Sequence, residues 1–223
     1  QNNTGLVNIN YENGFNICQN SIEKCTMHAR NGKVSINHNN PESSLDVLGH
    51  LKIHDGTFNI LISSDPFKKS DNNYTGINNT SCGQQALYSL EKGNYNIGLG
   101  FKSGYSIKDG NNNIAIGNQA LSTYECKDFN IAIGTNALAQ NSQSHNVAIG
   151  YNSLKNDVHG IGNTAIGSNT NIDGLENWQY STAIGYNAII GKSNSIILGD
   201  STDENLCVGI GTNSPSKKLD VIG

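Results

Sequence analysis

The sequence predicts an all-β protein: a stacked-coil, β-roll-like solenoid flanked by strand-turn-strand elements. Three observations carry this. First, a short phrase, clearest as Ile114-Ala115-Ile116-Gly117-Asn118-Gln119-Ala120-Leu121, recurs eight times along the chain. It closes on Gly83, Gly100, Gly117, Gly134, Gly150, Gly167, Gly185 and Gly199, in steps of 17, 17, 17, 16, 17, 18 and 14 residues. A fixed period of this length marks an array whose units bury a core only by stacking. Second, residues within the phrase alternate with a period of two, which belongs to a short strand and not to a helix. Third, residues 34–49 align without gaps with residues 208–223, each copy turning at a proline, Pro41 or Pro215.

Taken in order, residues 1–31 read as an N-terminal β segment of no nameable type. Residues 32–72 hold the first strand-turn-strand copy and then a hairpin, with residues 51–54 and 57–62 flanking Asp55-Gly56, a strong two-residue turn signal. Residues 73–205 form the solenoid with its period of about 17 residues. Its repeat core is assigned to Ile114, Ile116, Ile131, Ile133, Val147, Ile149, Ile166 and Ile184. Alanine recurs between them at Ala115, Ala132, Ala148, Ala165 and Ala183, so the opposite face is expected to be crowded as well. Ala86-Leu87 and Ala137-Leu138 supply a second apolar edge, and Cys82, in an isoleucine position, reads as a small buried hydrophobe. Residues 206–223 are the second flank copy.

Stacking would align the coils into ladders of asparagine and isoleucine. Ordering a residue costs roughly 1–2 kcal/mol, more than a coil's few large side chains return, so coils must hydrogen-bond to one another and bury surface against other chains. Capping by the flanks would then prevent open-ended strand addition. At Asn169-Thr170-Asn171 the usual Ala-Leu is lost, which predicts a bulge that turns Trp178 and Tyr180 outward.

Composition narrows the function classes. Apolar residues are 35% of the 223, low for a packed globule, but they sit at fixed offsets, which argues against disorder. The net charge is −4, and basic residues cluster only at Lys68-Lys69 and Lys217-Lys218, so nucleic acid is not an expected partner. No apolar run approaches the roughly 20 residues that span a bilayer and no basic-then-apolar leader opens the chain, so membrane insertion is not expected either. Five cysteines without a CxxC spacing suggest neither zinc nor a dense disulfide scaffold; Cys18 and Cys25 either pair or stay free.

The flank phrase Val208-Gly209-Ile210-Gly211-Thr212, then Pro215, then Leu219-Asp220-Val221, resembles the element that precedes the endosialidase-type C-terminal intramolecular chaperone in bacteriophage tail fibres and related viral surface proteins. The coils are similar to the repeats of those fibres and to the head repeats of trimeric autotransporter adhesins. The resemblance covers roughly residues 32–223. Asn37 and His38 depart from it, standing where the motif usually has glycine and threonine. It implies an intertwined homotrimeric fibre, extracellular or on a virion surface, with a surface glycan or protein receptor as partner.

Candidate chemistry is sparse. Gly160-Ile161-Gly162-Asn163-Thr164-Ala165 has the letters of a dinucleotide fingerprint but lacks the strand-before, helix-after context, so no cofactor is expected. No catalytic residue and no metal ligand set is assigned. The histidines at positions 28, 38, 50, 54, 145 and 159 read as loop residues, although a trimer could gather three copies of one on its axis. Asp200, Asp203 and Glu204 read as a solvated loop before a calcium site. Asn2, Asn73, Asn78 and Asn79 begin glycosylation sequons. Trp178, Tyr180, Tyr151 and Tyr186 are the candidate glycan contacts, with the coverage of coil edges or neighbouring chains as the plainer reading. The expected function is a non-enzymatic structural fibre segment with an adhesive or receptor-binding role. The alternative is a glycan-depolymerising fibre enzyme, which needs two carboxylates about 5–10 Å apart, and no such pair stands out. A hexapeptide acyltransferase would step in multiples of six, and an ice-binding solenoid would need a threonine ladder.

Overall fold

The computed structural model describes residues 15–18, 25–30, 33–36, 45–47, 60–62, 75–173 and 177–222, and all of its regular elements are strands. The chain divides into two compact units, residues 1–52 and 53–223. In the first, β1 (Phe15–Cys18), β2 (Cys25–Arg30), β3 (Lys33–Ile36) and β4 (Leu45–Val47) form one sheet in that order. The pairs β1–β2 and β2–β3 are antiparallel, and β3–β4 is parallel.

The second unit is the solenoid. Its main sheet has nine parallel strands: β5 (Ile60–Ile62), β6 (Thr80–Cys82), β7 (Ile97–Leu99), β8 (Ile114–Ile116), β9 (Ile131–Ile133), β10 (Val147–Ile149), β11 (Thr164–Ile166), β13 (Thr182–Ile184) and β15 (Ile196–Leu198). Each coil contributes one rung, in perfect register: Ile114 pairs with Ile131, Ala115 with Ala132, Ile116 with Ile133. Ile60–Ile62, expected as part of a hairpin, is a rung of this sheet and pairs in parallel with β6; residues 51–59 lie outside the described ones.

The ruler glycines set the coil spacing. From Gly83 to Gly185 their φ lies between 118° and 137°, a region closed to other residues. A Cβ on Gly150 would stand 2.4 Å from the carbonyl oxygen of Gly167 in the next coil. Backbone therefore lies directly on backbone. Three further corners of the coil also take positive φ, for instance Phe129 before a strand and Asn136 and Leu138 after one. These repeated left-handed corners wind the chain into a narrow coil.

The narrowness decides what fits inside. Ala115, Ala132, Ala148, Ala165 and Ala183 have no exposed surface, and Leu87, Leu121, Leu138 and Leu154 meet them from the opposite wall. The isoleucines assigned to the repeat core stand on the other side of the strands. Ile114, Ile116, Ile131, Ile133 and Val147 are half-buried, and Ile149, Ile166 and Ile184 are 37–42% exposed. The expectation is thus corrected: alanine lines the interior because the walls are too close for a larger side chain, and isoleucine faces out. Cys82 shares that outer column and is exposed, so the buried reading is corrected too. Nor does the lost Ala-Leu at Asn169–Asn171 open a gap. β12 (Asn171–Ile172) pairs with β14 (Ile189–Ile190), and Ile172 and Ile190 fill the interior.

The expected asparagine ladder is present and buried. Asn79, Asn96, Asn113, Asn130, Asn146 and Asn163 are at most 1% exposed. The Oδ1 of Asn96 accepts the backbone N–H of Asn113 at 3.0 Å, while its Nδ2 donates to the Gly110 carbonyl at 2.8 Å, and the pattern repeats along the column. At Ser181 a hydroxyl takes over the asparagine's part, accepting the Ser195 N–H at 3.2 Å and donating to the Lys192 carbonyl at 2.9 Å. Beyond β15, Leu206 sits over Gly199, where the next coil's backbone lies elsewhere in the column. Lys218 donates to the carbonyls of Asp203, at 3.3 Å, and Glu204, at 2.5 Å. It belongs to the closing flank, β16 (Val208–Ile210) and β17 (Leu219–Val221), a parallel pair with the same register as β3–β4.

Replacing Gly150 with alanine is expected to cost about 3 kcal/mol, because a strained φ is combined with a backbone collision. Gly191, whose added Cβ would meet nothing within 4 Å, is the control; Gly191→Ala should change stability by less than about 0.5 kcal/mol. Denaturant midpoints of the two variants check this.

Candidate interaction surface

Strict alternation fixes a single outer face. Moving along a coil, the residue two places before each strand points out, the ladder asparagine points in, the first strand residue out, the alanine in, and the third strand residue out. The residue after the ruler glycine is again outward. Four columns result: a leading corner, a first strand column of isoleucine and valine broken by Thr80, Thr164 and Thr182, a second strand column that is aliphatic from Leu99 to Leu198, and a trailing corner. Most of the exposed large apolar side chains between Tyr95 and Leu198 lie in these columns. They include Tyr95, Phe129 and Tyr180 at the leading corner, Ile149, Ile166, Ile184, Ile196 and Leu198 on strands, and Phe101, Tyr151 and Tyr186 at the trailing corner. Such an apolar band along a whole side of a chain marks an interaction face.

Three of the four aromatic candidates belong to this band. Tyr151, Tyr180 and Tyr186 are 55%, 61% and 64% exposed and flank the aliphatic columns. Trp178 does not join them. It is half-buried against the interior cluster and donates its indole N–H to the Asp173 carbonyl at 3.3 Å, because the extra strand pair β12–β14 fills the place where the bulge was expected. Away from the band, Tyr88 and Tyr105 stack with centroids 5.2 Å apart.

The polar candidates are engaged within the chain. Asp200 accepts from the Thr202 hydroxyl, the Thr202 N–H and the Asn187 amide; the Thr202 hydroxyl first, then its N–H, hold the carboxyl below the usual range. Asp203 accepts the Asn205 N–H at 2.9 Å. Among the described residues no group of three or more His, Cys, Asp or Glu side chains is placed to hold a metal ion. His145 is exposed and stacks on Phe129 at 5.2 Å. Asn79 is a buried ladder rung and donates to the Gly93 carbonyl at 2.9 Å, so its sequon is closed to a glycan in the folded chain. The fingerprint glycines run into strand β11. Of the cysteines, Cys18 and Cys25 are register partners across β1–β2. Cys126 is 1% exposed, and burial pushes its thiol up to about 12.

Sequence reasoning passed over one buried carboxylate. Asp157 lies where Leu90 and Ile107 line earlier coils, with its Oδ1 accepting the Gly160 N–H at 2.7 Å and its Oδ2 the Asn163 amide at 3.2 Å. Burial raises its pKa, against the opposing pull of those hydrogen bonds and of His159. No protein-family model, no curated protein and no solved structure matches this chain.

Two predictions follow from these groups. Thiol labelling of the native protein should spare Cys126, which becomes reactive only on unfolding; mass mapping of the labelled peptides checks this. For Asp157 the folded pKa is raised, so its contribution is fully present below the unfolded value and is lost as pH rises through the folded one. Asp157→Asn should therefore gain thermal stability relative to the wild type as pH rises from about 3 to about 8.

Proposed function

We propose that the chain is a non-enzymatic structural segment of a homotrimeric surface fibre, with the outer aliphatic columns buried around a three-fold axis that runs along the stack. The observation that carries this reading is the outward isoleucine face. A strand whose outer side met water would favour threonine, lysine or glutamate; threonine does stand in the first outer column at Thr80, Thr164 and Thr182, but the second runs Leu99, Ile116, Ile133, Ile149, Ile166, Ile184 and Leu198 without a break. Covering each half-exposed aliphatic side chain returns about 1 kcal/mol, and the return repeats with every coil. The narrow alanine interior gives one chain little of its own to bury, which supports assembly as the source of the remainder.

The trimer, in preference to another cyclic number, rests on the resemblance to tail-fibre and autotransporter-head repeats. The same resemblance supports a place on a virion or cell surface and an adhesive or receptor-binding role, with a glycan or protein receptor as partner. The band of apolar side chains is then chain-to-chain contact, which leaves the remaining coil surfaces to face the receptor.

Sedimentation equilibrium at micromolar concentration should give three times the chain mass. Ile133→Glu, on the outer face, should shift that mass toward the single chain and lose part of the β circular dichroism, because a single chain has little of its own to bury, whereas Ala132→Glu should abolish folding. A wild-type chain that sediments as a folded monomer overturns the reading.

A further inference from the structure

The two edges of the outer face match one another level by level. At the level of β7, Tyr95 on the leading corner accompanies Phe101 on the trailing corner; at β10, His145 accompanies Tyr151; at β13, Tyr180 accompanies Tyr186. Where the leading corner is small or polar the trailing one is too: Asn112 with Asn118, and Gly162 with Ser168. Phe129 with Thr135 is the exception.

Contact within one chain does not produce this match. An extended strand advances about 3.3 Å per residue, so the six steps from Tyr180 to Tyr186 hold the two Cα atoms roughly 15–20 Å apart. The outer-face ring contacts inside the chain run along a column instead: Phe129 stacks on His145 of the next coil, and a Cβ on Gly162 would touch the Tyr180 ring. The leading rings are also kept against backbone preference. Tyr95, Phe129, His145 and Tyr180 have φ of 59°, 60°, 65° and 56°, a conformation that asparagine or glycine adopts at lower cost and that Asn78, Asn112 and Gly162 hold at the same corner. Backbone strain retained for a large exposed ring points to a use for that ring.

We infer that the leading corner of one chain packs against the trailing corner of the next copy at the same level, ring on ring at β7, β10 and β13, so that matched edges set the axial register of the assembly. Rotation about an axis parallel to the stack leaves every level at its own height and brings the start of one chain's strands beside the end of its neighbour's. The contact is heterologous and closes on itself in a ring. This inference rests on the homotrimer reading above, and it adds which surfaces meet and what holds them level.

Photosensitised oxidation with persulfate tests it, since two adjacent phenols each lose a hydrogen atom to the oxidant and join ring to ring. Tyr88 and Tyr105, stacked within one chain, provide the internal control. The expected result is two- and three-chain bands on a denaturing gel, with a Tyr180–Tyr186 cross-link in their digests that Tyr186→Phe removes. Tyr180→Asn should lower the thermal midpoint of the trimer by several degrees, although asparagine suits the corner better. A trimer by sedimentation that forms the control cross-link but no Tyr180–Tyr186 link between chains, or that joins Tyr180 to Tyr180, overturns the edge pairing and leaves the trimer standing. A monomer by sedimentation overturns both.

Discussion

Everything in the solenoid is built on direct backbone contact at the ruler glycines. Because the carbonyl of one coil occupies the space a Cβ would need in the coil before it, neighbouring coils approach closely enough for both corners and the strand between them to hydrogen-bond at every level. Gly117 donates to Leu99, Gln119 to Phe101 and Asn112 to Asn94, all at 2.8–2.9 Å. That closeness also makes the interior thin. A coil wound so tightly has room for an alanine on one wall and a leucine on the other, and for the side chain of asparagine where it can serve the backbone of the next coil.

The period, the strands, the asparagine column and the Ala-Leu wall could all be read from the residues, because each follows from spacing alone. Which side of the strand faces in could not. An alternating pattern is unchanged when the strand is turned over, and the ordinary rule that large apolar residues are buried assigns Ile114 and Ile116 to the interior. The signal that would have corrected it was present in the constancy of Ala115 and its equivalents. An invariant small residue marks the tighter side, and the tighter side is the inside of a coil, whereas a face packed against another chain can accept the larger residue.

Local exceptions escaped the reading for a similar reason. The phrase loses its Ala-Leu at Thr170-Asn171, but Ile172 supplies the missing volume one position later and pairs with the β14 strand, so Trp178 is drawn inward. Asp157 is a polar substitution at an apolar place, and only the fold reveals that Gly160 and Asn163 are there to receive it. Aromatic residues in the linkers looked alike in the sequence; the coil geometry separates Tyr151, Tyr180 and Tyr186 at the borders of one face from the Tyr88–Tyr105 stack elsewhere.

The asparagine column has a sense of direction. Each side-chain oxygen accepts the backbone N–H of the rung one coil on, and each amide nitrogen donates to a backbone carbonyl further on, the nitrogens of Asn96, Asn113 and Asn130 also donating back to the oxygen of the preceding rung, so the bonds to the next coil's backbone all reach the same way along the rod. A coil inverted end for end would set donor against donor at its neighbour. The rod is therefore vectorial, like a one-way ratchet, and any lengthening by duplicated coils has to be inserted with the same polarity.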